Sequence, residues 1–459
     1  MSDLIISVSG LRGVVGSSLT PDVASRYVSA FARRLNASVG ERRPLVIVGR
    51  DGRDSGPVLR DIVVASLRAC GCDVLDADVV ATPTIGVLVR ARNADGAIQI
   101  TASHNPPPYN GMKLFGPSGR VLDAVSGAEV RKSYMDQESA WVSHDRLGDV
   151  QSVQDAHAPH LASVLATVDR EAIAARKYRV LLDSNHGAGG ALGCELLKQL
   201  GCEIVLVGGV ADGQFEHVPE PTAENLQMIT ARVVAERCEV GFCQDPDADR
   251  LALIDAGGRY IGEEYTLALC VQRALADPTT RGPIVINGAT SGMSEMVATE
   301  AGVMSHRSAV GEANVVDLMI ATGATYGGEG NGGPIDPRVG MVRDSFVGIA
   351  QVLDLMAKTG KPLAGLADAL PQLAIHKTKV TLDATKLSQI LAAVAAANPD
   401  AHADHSDGLR LSWPGEWLLV RGSNTEPIVR MIAEADSPQR ASELCESAAS
   451  IIARLNQGV

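Results

Sequence analysis

Apolar and polar positions along this chain fall into a pattern that occurs three times. Short apolar runs at 45–48, 180–182 and 284–286 each lead into a loop rich in glycine and small polar residues. Runs of this length, bounded by turn residues, predict buried strands. A helical stretch follows each loop and ends on one signal: Gly71 in ACGC, Gly201 in QLGC and Gly302 in EAGV. Glycine suits the left-handed residue that closes a helix. A second strand follows in at least two of the copies.

A further strand in each copy, at 98–100, 240–243 and 324–326, delivers a distinctive loop: TASHNPPPYNGMK, then DPDADR, then GEGNGG. Strands separated by helices predict parallel pairing through right-handed crossovers, and therefore α/β layers. Ligands of such sheets gather beyond the carboxyl ends of the strands, so three equivalent loops can line one cleft. From about residue 371 the pattern changes to a helix near 386–397, a polar stretch at 402–408, and strands around 417–420 and 428–433 that enclose RGSNTEP. The expectation is three related α/β domains, at 1–150, 151–255 and 256–370, followed by a smaller α+β domain at 371–459. The last is joined near Lys361-Pro362 and able to move.

Length supports several domains, because 459 residues exceed what one core of roughly 250 to 300 residues sustains. Hydrophobic residues at 46% and charged residues at 21% fit a folded globular chain. A net charge of −13 argues against nucleic acid or an anionic membrane as partner, since both reward a basic surface. The N-terminal MSDLIISVSGLRG has no basic leader before an apolar core, and no apolar run reaches about 18 residues, so a cytoplasmic protein is expected. The eight cysteines show no disulfide framework, and 3% aromatics leaves little for a stacking platform. Recognition should therefore be polar and charged.

Ser103 in TASHNP sits just past a strand, followed by His104, Asn105 and a proline run that would stiffen the loop and expose the hydroxyl. An ordinary turn also accommodates such a serine. Asp245, Asp247 and Asp249 alternate in DPDADR, so in an extended loop their carboxylates can converge on one hard cation. A solvated acidic turn is the plainer alternative. Arg250 at position six and Ala256 at position twelve exclude an EF-hand, leaving magnesium at an open site, with Arg250 able to clamp a phosphoryl group.

RGSNTEPIVR gathers Arg421, Ser423, Asn424, Thr425 and Arg430, a set of guanidinium forks, hydroxyls and an amide that suits phosphate, although a polar hairpin turn uses the same residues. In GEGNGG, Glu329 and Asn331 can hydrogen-bond sugar hydroxyls, or the loop can be a connector. The glycines of HGAGGALG fall one place off a dinucleotide fingerprint and read as a strand-to-helix turn.

Together these loops resemble the α-D-phosphohexomutase family of phosphoglucomutases, phosphomannomutases and phosphoglucosamine mutases, over essentially the whole chain. TASHNP with Lys113 looks like its phosphoserine loop, DPDADR its metal loop, GEGNGG its sugar loop and RGSNTEP its phosphate loop, in the family's order. The resemblance implies a four-domain, heart-shaped architecture and interconversion of hexose 6- and 1-phosphates through phosphoserine 103 and a bisphosphate. It implies one Mg2+ per chain held by Ser103, Asp245, Asp247 and Asp249, and a sugar 1,6-bisphosphate as activator. Arg12 in Gly10-Leu11-Arg12-Gly13 would face the reactive phosphate, with Lys113 as acid-base candidate and His104 and Arg250 beside them.

Two departures carry weight. Pro246 and Ala248 stand where the family's metal loop has glycines, and the sugar loop lacks the serine and histidine of many glucose and mannose enzymes. The latter looks more like some phosphoglucosamine mutases, so glucosamine phosphate is the expected substrate, with glucose or mannose phosphate as the alternative. A metal-dependent phosphatase and a non-catalytic sugar-phosphate sensor are the rivals from other classes.

Overall fold

The computed structural model describes residues 4–7, 10–381, 386–422 and 428–457. Three α/β sheets share one unit. In the first, Leu45–Arg50 pairs in parallel with both Asp73–Val79 and Gly96–Ile100, and Tyr109–Phe115 closes the far side antiparallel to Gly96–Ile100. The second repeats this with Arg179–Asp183, Glu203–Val207, Val240–Gln244 and Leu251–Asp255. The third repeats it with Ile284–Asn287, Ser305–Ser308, Tyr326–Glu329 and Gly333–Ile335. Ile5–Ser7, Gly10–Val14 and Val150–Ser152 extend the first sheet to seven strands.

The expected parallel pairing is present, but the antiparallel fourth strand of each unit was not anticipated. It makes every chemistry-bearing loop the connection of a hairpin. Ile100 pairs with Met112 around TASHNP, Gln244 with Leu251 around DPDADR, and Glu329 with Gly333 around the sugar loop. Gly71, Gly201 and Gly302 adopt φ of 78°, 74° and 68°, the left-handed helix ends expected of them.

The C-terminal unit is α+β: five antiparallel strands, Ala374–Thr381, Ile428–Ala435, Glu416–Gly422, Leu409–Trp413 and His402–Asp404 in spatial order, with the helices Leu387–Ala396 and Pro438–Gln457. Its apolar residues form their own core, whereas one continuous cluster spans the second and third units. Leu363, Leu366, Ala367 and Leu370 belong to that shared cluster and Leu373 packs against it, so the chain stays with the third unit past Lys361-Pro362, the expected joint. All eight cysteines are unpaired thiols, and no helix among the described residues is long and apolar enough to cross a membrane.

Candidate active site

Ser103 lies in the first hairpin loop at φ 49° and is only 1% exposed. The expectation of an exposed hydroxyl is therefore wrong at this residue. The loop is drawn inward, and Ser103 Oγ donates to Asp245 Oδ2 at 2.7 Å and lies 3.2 Å from His104 Nδ1. The Thr101 hydroxyl accepts from Ser103 N at 2.8 Å and fixes the turn. Arg250, followed by burial and Arg12, pushes His104 well below the ordinary imidazole range, which favours the neutral ring.

Asp245, Asp247 and Asp249 are each fully buried, with one oxygen of each inside a 4.8 Å cluster. They converge through a tight turn and not the expected extended loop: Ala248 N donates to Asp245 O at 2.9 Å, and Ala248 adopts φ 56°. That positive φ explains why the family pattern prefers glycine there. Lys113 Nζ, from the strand Tyr109–Phe115, stands 2.6 Å from Asp247 Oδ2 and 2.8 Å from Asp249 Oδ2. Thr82 Oγ1 donates to Asp247 Oδ2 at 2.6 Å.

Burial alone would raise all three carboxyls. For Asp245 the neighbouring Asp247 and Asp249 push the same way, and it stands well above the usual range. Lys113 overturns burial at Asp247, and Arg343 does so at Asp249, holding both low. Burial would likewise lower Lys113, but the two carboxylates raise it and keep it an ammonium.

Asp247 Oδ1 and Asp249 Oδ1 are buried without a hydrogen-bond partner among the described residues. Orphaned carboxylate oxygens are costly unless something meets them. An oxygen-only donor set with two such atoms fits a hard divalent cation.

Arg12, on the strand Gly10–Val14, donates to Asn105 Oδ1 at 3.0 Å and so reaches the serine loop. Arg250 Nε is buried with no hydrogen-bond partner among the described residues, 3.9 Å from Asp249 Oδ1. Glu329 is already engaged: it accepts from Asn287 Nδ2 at 2.6 Å, Gly311 N at 3.1 Å and Arg343 at 2.7 Å. Asn331 Oδ1, by contrast, is buried and without a partner among the described residues.

Arg421 is not joined to this group. It pairs with Asp407, Nε to Oδ2 at 3.2 Å, and Asp407 also accepts from Val310 N in the third unit at 2.8 Å. Arg430 sits directly opposite Arg421 in the antiparallel ladder, which puts the two residues on one face. Ser423, Asn424 and Thr425 lie outside the described residues.

The four domain models of the phosphoglucomutase/phosphomannomutase family match the chain in order: alpha/beta/alpha domains I, II and III over residues 4–140, 157–258 and 263–374, and the C-terminal domain over 378–451. The chain belongs to this family. A phosphoglucomutase/phosphomannomutase of Thermococcus kodakarensis is 36% identical over 440 residues, covering 95% of this chain and 96% of its own. A probable phosphoglucosamine mutase of Methanopyrus kandleri is 32% identical over 449 residues, covering 97% of each. The crystal structure of a phosphoglucomutase/phosphomannomutase family protein from Burkholderia thailandensis superposes with a TM-score of 0.83 at 28% identity, covering 97% of both chains.

In this phosphohexomutase several residues complete the site that sequence reasoning missed. Arg343 is 8% exposed and joins the DPDADR loop to the GEGNGG loop, with Asp249 Oδ2 at 2.6 Å, Glu329 Oε2 at 2.7 Å and Glu312 Oε2 at 3.4 Å. Ser345 Oγ donates to Ala248 O at 2.7 Å and holds the strained turn. Thr82 opens the helix Thr82–Ala91, so a helix N-terminus faces Asp247. Thr82, just before Pro83, carried only the general signal of a helix start, and Arg343 gave none.

Proposed function

We propose that this phosphohexomutase interconverts glucosamine 6-phosphate and glucosamine 1-phosphate by way of phosphoserine 103 and an enzyme-bound bisphosphate. The observation that carries the phosphoserine step is the 2.7 Å contact of Ser103 Oγ with Asp245, which seats the hydroxyl against the carboxylate cluster.

In the first transfer the phosphoserine P–O bond breaks, a P–O bond to the free sugar hydroxyl forms, and that hydroxyl gives up its proton. The second transfer returns the other phosphate to Ser103 after the bisphosphate has turned around. Lys113, held as an ammonium, and Arg250 and Arg12 neutralise the phosphoryl oxygens. Neutral His104, 3.2 Å from Ser103 Oγ, is the group suited to exchange the proton. Asp245, Asp247, Asp249 and Ser103 would hold Mg2+, which when bound supplies further charge neutralisation. A sugar 1,6-bisphosphate activates the enzyme by phosphorylating Ser103. Arg421 and Arg430, on one face of the C-terminal sheet, grip the phosphate that is not reacting.

For the sugar, the unpartnered Asn331 carbonyl supports an ammonium-bearing substrate. Glu329, expected to hydrogen-bond sugar hydroxyls, is committed to Asn287, Gly311 and Arg343, and it acts by orienting the loop. The name of the Thermococcus relative favours a second reading, glucose or mannose phosphate. A panel of glucosamine, glucose and mannose phosphates, at one magnesium concentration and one priming regime, compares kcat/KM directly. The proposal expects glucosamine phosphate to lead, and a clear lead for either neutral sugar would remove the amino-sugar assignment alone.

A further inference from the structure

The nucleophile loop contains Pro106, Pro107 and Pro108, three residues with no N–H to donate, so few backbone hydrogen bonds close within it: Asn105 N donates to Ala102 O at 3.1 Å and Tyr109 N to Pro106 O at 3.0 Å. Four of its carbonyls are met from outside by one side chain. Arg53 Nη2 donates to Ser103 O at 2.6 Å and Asn105 O at 2.6 Å, and Nη1 donates to Pro106 O and Tyr109 O, both at 3.0 Å. Its remaining donor, Nε, meets Asp51 Oδ2 at 3.2 Å. All five donors of the guanidinium are thereby used.

Arg53 is 2% exposed and Asp51 is fully buried. Asp51 Oδ1 accepts from Arg53 N at 3.0 Å, and Asp51 Oδ2 accepts from the Thr101 hydroxyl at 2.6 Å. That same hydroxyl accepts from Ser103 N. Ser103 is thus held on both sides, its N–H through Thr101 and its carbonyl through Arg53, in a left-handed conformation that serine does not favour. The ring of Phe215, from the second unit, covers the guanidinium at 5.2 Å.

We infer that Arg53 is the positioning residue of the phosphoryl-transfer nucleophile, aiming Ser103 Oγ at the carboxylate cluster without touching substrate. This rests on the reading of Ser103 as the phosphoserine. Four carbonyl contacts from one rigid fork fix the loop's peptide planes, and misplacing a reacting atom by about 1 Å costs roughly a hundredfold in rate. Substrate phosphate and sugar are bound elsewhere, so the loss falls on kcat and not on KM. A lysine has three donors on a flexible stem and cannot replace the fork.

The test uses the full chain with Arg53→Ala and Arg53→Lys, primed with a sugar bisphosphate. Both variants are expected to lose about a hundredfold in kcat with KM within about threefold, and free guanidinium should restore about tenfold to the alanine variant only. Hydrogen exchange provides an arm that needs no turnover: amides of 101–110 should exchange faster in the variants while the sheets keep their protection. Wild-type kcat in Arg53→Ala, a loss confined to KM, or unchanged exchange in the loop would overturn the inference. A wild-type chain that turns over no hexose phosphate would instead sink the mutase reading, and the exchange arm would still decide whether Arg53 orders the loop.

Discussion

Ser103 Oγ and Asp245 Oδ2 meet at 2.7 Å across 142 residues of sequence. The serine belongs to the first unit and the aspartate to the second, so the position of this hydroxyl is set by docking between units. Its neighbours follow the same rule: Lys113 of the first unit and Arg343 of the third both end on Asp249. The site is an interface product, and substitutions at its joints report on it.

Asp247→Asn should lower magnesium-dependent turnover by about a hundredfold or more, since a bound cation supplies several kcal/mol of charge stabilisation. The fold should survive, because Lys113 keeps Asp249 as a carboxylate partner at 2.8 Å and the asparagine can still accept from Thr82. Magnesium at a hundred times its Kd adds about 2.7 kcal/mol of stability by mass action, so its upward shift of Tm should vanish in the variant. Turnover indifferent to both chelator and substitution would make the loop structural.

Arg343→Met removes the cation that faces Asp249, Glu329 and Glu312. Stripping one partner from a buried ion cluster costs about 3 to 5 kcal/mol, read from the urea midpoint. Turnover should fall as well, because the metal loop and sugar loop lose their link. A midpoint shift below about 0.5 kcal/mol, the range of surface substitutions, would contradict the bridging role.

Glu263 gives a pH signature. Burial pushes its carboxyl up to about 7 from 4.5, and Oε1 has no partner among the described residues. Between those values the folded chain holds a proton that the unfolded chain releases. The contribution is therefore favourable to folding at low pH and lost as pH rises through about 7. Urea midpoints of wild type and Glu263→Gln should diverge with rising pH, the glutamine variant gaining. Parallel curves across that window would show the carboxyl to be unshifted.

How much of this was legible in the sequence depended on contiguity. Ser103, His104 and the three aspartates announced themselves because each set lies within one short loop at a strand end. The repeat was readable for the same reason, from local apolar runs and the glycines at 71, 201 and 302. Arg343 reaches Asp249 over 94 residues and Arg53 reaches Ser103 over 50, and neither stands out among 41 lysines and arginines. The fourth strands hid because Tyr109–Phe115 carries Gly111 and Lys113 in its interior and Gly333–Ile335 is only three residues long. Ser103 is buried against Arg53 and Asp245, both far from it in sequence, so the loop sequence alone suggested the opposite.

The central claim is that Ser103 carries the phosphoryl group that the sugar receives. Rapid-quench labelling with a phosphorus-labelled hexose 1,6-bisphosphate, followed by peptide mapping, tests it most directly. The account predicts label on the peptide containing Ser103, transferred to added sugar monophosphate at least as fast as kcat. Ser103→Ala should take up no label and show no mutase turnover. Full turnover in the alanine variant, or label on Ser103 that leaves more slowly than kcat, would contradict it.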